Sequence, residues 1–419
     1  MPSFALSAPP VRVARPESEQ IEQLVSHLQR TAGVEREAIR VVKSPLRICP
    51  LGAHIDHQLG VVTGMTIDQS IFLAFAPTAD GSVHVESRNF SPPVSFRLDD
   101  VPPCRRGDWG NYLRGAARAL GRRRRLERGL VGVVGGEMPI GGLSSSAAVT
   151  TAYLLALETA NGLDVSPAEN ISLVRYTENT YIGLNNGILD QSVILFSERG
   201  SLTVIDCDTL QIERVPASFS ADDYEILVVY SGLSRGLVGT DYNNRVAECQ
   251  EAARLLLPYA GGADAPDPRL RRVPPPVFEA EGHRLPPVLR RRARHYFGEI
   301  RRVAEGVSAW RAGDLSRFGA LMNESGESSI RYYECGSPQL ITLYETLRQA
   351  PGVYGTRFSG AGFRGCCIAL IDPAARESIA EAVHRRYPAA HPEQASAYSI
   401  HFCRPDGRAG VVSGSGANS

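Results

Sequence analysis

The stretch that most constrains the fold is RGLVGVVGGEMPIGGLSSSAAVTTAYLLALETANG, residues 128–162. An apolar run of strand length passes into a turn almost free of side-chain bulk, and the turn passes into a long segment with helical character. Gly141 and Gly142 open backbone conformations that other residues avoid. A helix that begins just beyond them offers unsatisfied N–H groups and partial positive charge at its first turn. The hydroxyls of Ser144, Ser145 and Ser146 could hold phosphate oxygens or a magnesium ion. Taken alone, the stretch is compatible both with an anion-binding turn and with an ordinary loop closed by a serine cap. It is not a Walker A loop, because no Gly-Lys-Ser/Thr follows.

Around this unit the periodicity predicts a helix from about 18 to 32, then a strand-rich opening third with AIRVVKSPLRICPLG broken by proline. DWGNYLRGAARAL and ENISLVRYTENTYIG read as helices, and GSLTVIDCDTLQIERV as a hairpin. A lobe boundary falls near 215. Beyond it YEILVVYSG reads as a buried strand, followed by the helix YNNRVAECQEAARLLLPYA. A proline- and arginine-rich excursion over about 261–282 is expected to be mobile. Three more helices lead to the strand-turn-strand unit GVYGTRFSGAGFRGCCIALID. Residues 411–419 are expected to be a disordered tail.

With 419 residues the chain can be one large fold or two lobes sharing a core. Lys plus Arg and Asp plus Glu both number 45, so no overall field points to nucleic acid or an anionic membrane, and a small-molecule partner is expected. The 8 cysteines form no CxxC pair, which suits neither a zinc site nor a disulfide framework and favours a reducing, cytoplasmic setting. No apolar run reaches the roughly 18 residues of a membrane span.

Two further stretches carry polar groups beside glycines. FSGAGFRGCC, 358–367, permits close backbone approach to a ligand, although on its own a tight structural turn is the better explanation. RICPLGAHIDH and NNGILDQS place Asp56 and Asp190 beside turns, where an aspartate is commonly a cap.

In this order the three stretches resemble the GHMP small-molecule kinases, and within them the galactokinase branch. The branch signature Arg-x-Asn-x-x-Gly-Glu-His-x-Asp-Tyr stands here as RICPLGAHIDH, keeping Arg47, Gly52, His54 and Asp56; GGLSSSA and GAGFRGC stand for the second and third motifs. The similarity runs from about 38 to 372. Departures are Ile140 and Arg364, both at positions where the family has glycine.

The resemblance implies a two-lobed α+β fold: an N-terminal mixed-sheet lobe over 1–215 and a C-terminal lobe over 216–410 with an antiparallel sheet and helices, the active site in the cleft. It implies ATP and Mg²⁺. Asp190 becomes the carboxylate that accepts or orients the sugar C1 hydroxyl, with Arg47 beside it. His54, Asp56, the Gly187 backbone and Tyr242 would cradle the sugar. Gly141, Gly142, Ser144, Ser145 and Ser146 would hold phosphates, with Trp109 against adenine and Ser146 and Glu178 on the metal.

Ala53 is the departure with chemical consequence. In galactokinases a glutamate here accepts a hydrogen bond from the sugar's C6 hydroxyl. A carboxylate at C6 facing such a glutamate at about 4 Å would be disfavoured by on the order of 4 kcal/mol at an effective dielectric near 20. Alanine removes that repulsion, so the expected substrate is a hexuronic acid with galactose-like hydroxyls, galacturonate. Arg235 and His57, at the family's tyrosine position, are the candidates to face its carboxylate. Galactose or glucuronate as substrate, and a non-catalytic sugar sensor, remain the alternatives at this point.

Overall fold

The structure, a computed structural model, describes residues 10–139, 141–220, 222–233, 241–262 and 266–412. It contains strands β1 (Arg40–Ile48), β2 (Val61–Pro77), β3 (Ser82–Ser87), β4 (Val94–Arg97), β5 (Leu130–Gly135), β6 (Ser201–Asp206), β7 (Ile212–Pro216), β8 (Glu225–Tyr230), β9 (Val353–Phe358), β10 (Cys366–Ile371), β11 (Ser399–Cys403) and β12 (Gly410–Val412). The architecture is α+β. A mixed sheet runs β12-β1-β2-β5-β3-β4 with the hairpin β6–β7 added along β2, and a four-stranded antiparallel sheet runs β11-β8-β10-β9. The parallel pair is β3 with β5.

Pro45 does not end β1. The strand passes through it with a register shift between Pro45 and Arg47, the irregularity by which a strand tolerates a residue without an N–H. That shift delivers Arg47 and the turn after Ile48 to the site. β8 and β10 are buried along their whole length, as expected for continuous apolar runs covered on both faces. The largest hydrophobic cluster joins the two sheets, taking in Val42 and Phe75 from the first, Ile226 and Ile368 from the second, and Trp310 from the helix Pro287–Arg311.

Two expectations change. The excursion over 261–282 is not bare loop: it carries a turn at Leu270–Arg272 and a helix at Pro275–Glu281. Arg271 holds Asp206 at 2.7 Å and Arg272 holds Asp208 at 2.6 Å, fastening it to the β6–β7 hairpin. Composition showed the prolines and arginines but not the carboxylates waiting for them. Val411 and Val412, assigned to the tail, instead pair with β1 as β12, where Gly410–Val412 extend the edge of the sheet. The rest of the tail lies outside the described residues. No described helix is long and apolar enough to cross a membrane.

Candidate active site

The glycine turn leads directly into the helix Ser145–Asn161. Gly141 and Gly142 have φ of 146° and 84°, and Ser144 sits in the left-handed region at 60°. The second glycine-rich loop packs on this turn backbone to backbone: a Cβ on Gly365 would come within 2.7 Å of the Gly141 carbonyl carbon, and one on Gly360 within 2.8 Å of the Gly142 Cα. Those glycines are therefore needed to join the two lobes here, whatever else they bind. Ser359 Oγ donates to the Gly142 carbonyl at 2.6 Å and closes the seam. Ile140 lies outside the described residues.

Arg47 is buried at the centre. Its Nε donates to Asp190 Oδ1 at 2.6 Å, Nη1 to the Gly142 carbonyl at 3.1 Å and Nη2 to Ser144 Oγ at 2.9 Å. Ser144 Oγ in turn donates to the second oxygen of Asp190. The hydroxyl expected on a phosphate is thus engaged by the Arg47–Asp190 pair. Burial works against the Arg47 charge, yet Asp190 more than offsets it and the guanidinium is held above its ordinary value. Asp190 stands in the first turn of the helix Leu189–Phe196, where helix geometry favours an anion, and remains partly open to the cleft.

Asp56 lies beneath that same helix start and accepts from the backbone N–H groups of His57 and Leu189. Burial, then the neighbouring Asp190, pushes its carboxyl up to about 6. Gly187 is required there, since a Cβ would stand 2.2 Å from Asp56 Oδ2. A cavity of about 340 Å³ opens on Asp56, His57, Gly187 and Arg269.

The turn carrying Ala53 is enclosed from the opposite side by residues that sequence reasoning passed over. His295 and Glu299, one turn apart on the helix Pro287–Arg311, read its backbone: His295 Nε2 donates to the Ala53 carbonyl at 2.9 Å, and Gly52 N donates to Glu299 Oε2 at 2.9 Å. The spacing of His and Glu in RHYFGEIRR was the available signal. His54 stacks on Tyr333 at 4.3 Å and 6°, with its Nε2 3.6 Å from Cys335 Sγ. Burial foremost, then His295 and Arg357, hold His54 well below its ordinary value.

His57 has both ring nitrogens engaged, by Gln58 at 3.1 Å and the Tyr333 hydroxyl at 3.2 Å, and burial lowers it to about 3. It is a neutral ring locked in place, a poor partner for a substrate carboxylate. Tyr242 begins the helix Tyr242–Leu256 and meets His57 edge-on at 6.3 Å. Arg235 lies outside the described residues.

Glu178 is fully buried. Asn186 Nδ2 donates to Oε2 at 3.2 Å, Oε1 has no partner among the described residues, and the Ser146 side chain lies beside the carboxyl. Trp109 precedes the helix Asn111–Gly121 and is not in the core. It stacks on the exposed Phe90 and donates from Nε1 to the Pro92 carbonyl at 3.0 Å.

A buried arginine paired with a partly open aspartate at a helix start, faced by a glycine turn on another helix, suits the handling of phosphate beside a hydroxyl. The family models agree: GHMP kinases N terminal domain matches residues 111–198 and GHMP kinases C terminal matches 306–389. The chain belongs to the GHMP kinases, in the branch that holds the galactokinases. It is 46% identical to a galacturonokinase of Arabidopsis thaliana over 91% of this chain and 94% of that protein. It is 33% identical to a galactokinase of Roseiflexus sp. strain RS-1, covering 93% and 97%. The crystal structure of Lactococcus lactis galactokinase complexed with galactose superposes with a TM-score of 0.85 at 30% identity, covering 93% of this chain and 99% of that one.

Proposed function

We propose that the protein transfers the γ-phosphate of ATP to the anomeric hydroxyl of D-galacturonate, giving α-D-galacturonate 1-phosphate and ADP. The observation that carries the substrate choice is Ala53, a buried methyl where the galactokinase signature has a glutamate, within a turn whose Gly52, His54 and Asp56 are kept. The similarity to the Arabidopsis galacturonokinase supports the same reading.

In this mechanism Asp190 receives the C1 hydroxyl and orients or deprotonates it. Arg47 fixes the carboxylate through Nε and, with the N–H groups at the start of the helix Ser145–Asn161, offsets negative charge growing on the transferred group. Ser144 holds the free oxygen of Asp190 until the hydroxyl takes its place. Asp56 accepts from ring hydroxyls, and the Gly187 backbone and Tyr242 complete the cradle. Gly141, Gly142 and Ser145 line the phosphate path, and the half-open Trp109–Phe90 face suits adenine.

Glu178 and Ser146 fit a magnesium ion: a buried carboxylate with one oxygen unpartnered among the described residues, beside a hydroxyl, is the donor set of a hard cation that keeps several waters. Such an ion, held by these two residues, would supply neutralisation of phosphate charge. Burial, then Asp190 nearby, pushes Glu178 up to about 7, and a cation would relieve that. A cytoplasmic setting is part of the proposal; it rests on the cysteine pattern, all eight being free and seven buried.

The test is ADP release with galacturonate, galactose and glucuronate at matched concentrations. Galacturonate should give the highest kcat/KM. Preference for galactose or glucuronate would replace the substrate, and no turnover of any sugar would favour a sugar sensor.

A further inference from the structure

Of the two residues expected to face the substrate's C6 carboxylate, His57 is a neutral ring with both nitrogens engaged and Arg235 lies outside the described residues. The turn at 49–54 does, however, rest on one more cation. Arg357, in β9, is 1% exposed, and its Nη1 donates to the Cys49 carbonyl at 3.3 Å. Its Nε has no partner, and among the described residues no carboxylate stands within ion-pair distance of it. The other arginines around this turn are committed. Arg47 holds Asp190, Arg302 holds Glu299 at 2.6 Å, and Arg269 grips Asp267 at 2.8 Å while donating to the His57 carbonyl at 2.7 Å.

A guanidinium buried this completely is disfavoured unless an anion accompanies it. Glu299, the carboxylate on the facing helix, feels the Arg357 charge without an ion-pair contact, and spends its hydrogen bonds on Arg302, Gly52 N and Ser325 Oγ. Residue 53, on the turn that Arg357 supports, is the place where the galactokinase signature has a carboxylate and this chain has a methyl.

We infer that Arg357 is the specificity-determining counter-charge for the acidic substrate: the sugar's C6 carboxylate comes to the Ala53 turn, where the galactokinase signature has its glutamate, and supplies the ion-pair partner that this buried guanidinium lacks among the described residues. The inference rests on the galacturonate reading. It assigns Arg357 to binding and not to chemistry, so it separates KM from kcat and acidic from neutral sugar. The reaction end, around Asp190, is untouched by it.

The experiment is steady-state kinetics of the full chain with galacturonate and with galactose, for wild type, Arg357→Gln, Arg357→Lys and Arg269→Gln. Arg357→Gln is expected to raise the galacturonate KM roughly 100-fold, as for loss of one partner of a buried charge pair, with kcat within about threefold and galactose kcat/KM within about threefold. Arg357→Lys keeps the charge but not the fork and is expected to show the same acid-selective loss at roughly tenfold; it carries the test should the glutamine variant not fold. Equal losses on both sugars, no loss, or an acid-selective loss in Arg269→Gln in place of Arg357→Gln would overturn the assignment. A wild-type enzyme that prefers galactose would instead sink the galacturonate reading itself, before any variant is compared.

Discussion

The two ends of the sugar site are prepared differently. At the reaction end the charges are balanced in advance: Arg47 and Asp190 neutralise each other, and Ser144 and the Gly142 carbonyl take further donors and acceptors of the pair. At the recognition end around Ala53 the balance is left open, with three histidines lowered by burial and an arginine lacking a carboxylate among the described residues. A site that performs one reaction on related sugars can keep its chemistry fixed and choose its substrate by the charge it omits. On the galacturonate proposal that omission is a single side chain, at residue 53.

The largest effect should come from the balanced end. Asp190→Ala removes the group facing the C1 hydroxyl and is expected to lower kcat by roughly 10⁴-fold, with ATP affinity measured by calorimetry nearly unchanged. Full turnover in that variant would remove Asp190 from the mechanism. Ala53→Glu strikes the open end. It places a carboxylate where the substrate's would sit, so galacturonate kcat/KM should fall by up to roughly a thousandfold while galactose improves. Unchanged ratios between the two sugars would mean that residue 53 does not face C6. Gly187→Ala tests the seam between the ends, since its Cβ would press on Asp56 Oδ2 at 2.2 Å. Displacing that carboxylate should cost on the order of 100-fold in kcat/KM for every sugar, with no change in preference.

Much of this was legible in sequence because it is local. The helices at Glu17–Ala32 and Ser145–Asn161 announce themselves by period and flanking glycine, and Arg47, Asp56 and Asp190 stand in stretches whose order along the chain carries the family resemblance. What stayed hidden is relational. The spacing in RRARHYFGEIRR sets His295 and Glu299 on one helix face, but nothing in it says that they grip a turn more than 240 residues earlier. Nor does RFSGAG say that its arginine is buried without a carboxylate. The same holds for the segment at 266–282, which reads as a mobile excursion in sequence and is pinned in the fold by Asp206 and Asp208. Composition records which charges a chain carries; only the fold decides which of them meet.

The smallest effect, and the sharpest on the difference between the ends, is the response to pH. Asp56 must be ionised to accept from sugar hydroxyls, and its carboxyl titrates in the fold near 6 because burial and Asp190 disfavour the charge. Below that pH, kcat/KM for sugar should fall about tenfold per unit, while His57, at about 3, and His295, at about 4, stay neutral and add no limb between pH 5 and 8. If Glu178 holds the proposed magnesium ion, saturating Mg²⁺ should keep it from adding its own limb near 7. The stability of the sugar-free protein should move the other way. The folded state binds the Asp56 proton more tightly than the unfolded chain, so this group's contribution declines as pH rises from 3.8 to about 6 and is flat beyond. Asp56→Asn should flatten both curves at a lower activity. A rate profile that instead breaks near 6.5 and survives in Asp56→Asn would mean that a histidine at the open end is charged in the working enzyme, and that the recognition end is balanced by protons and not by the substrate.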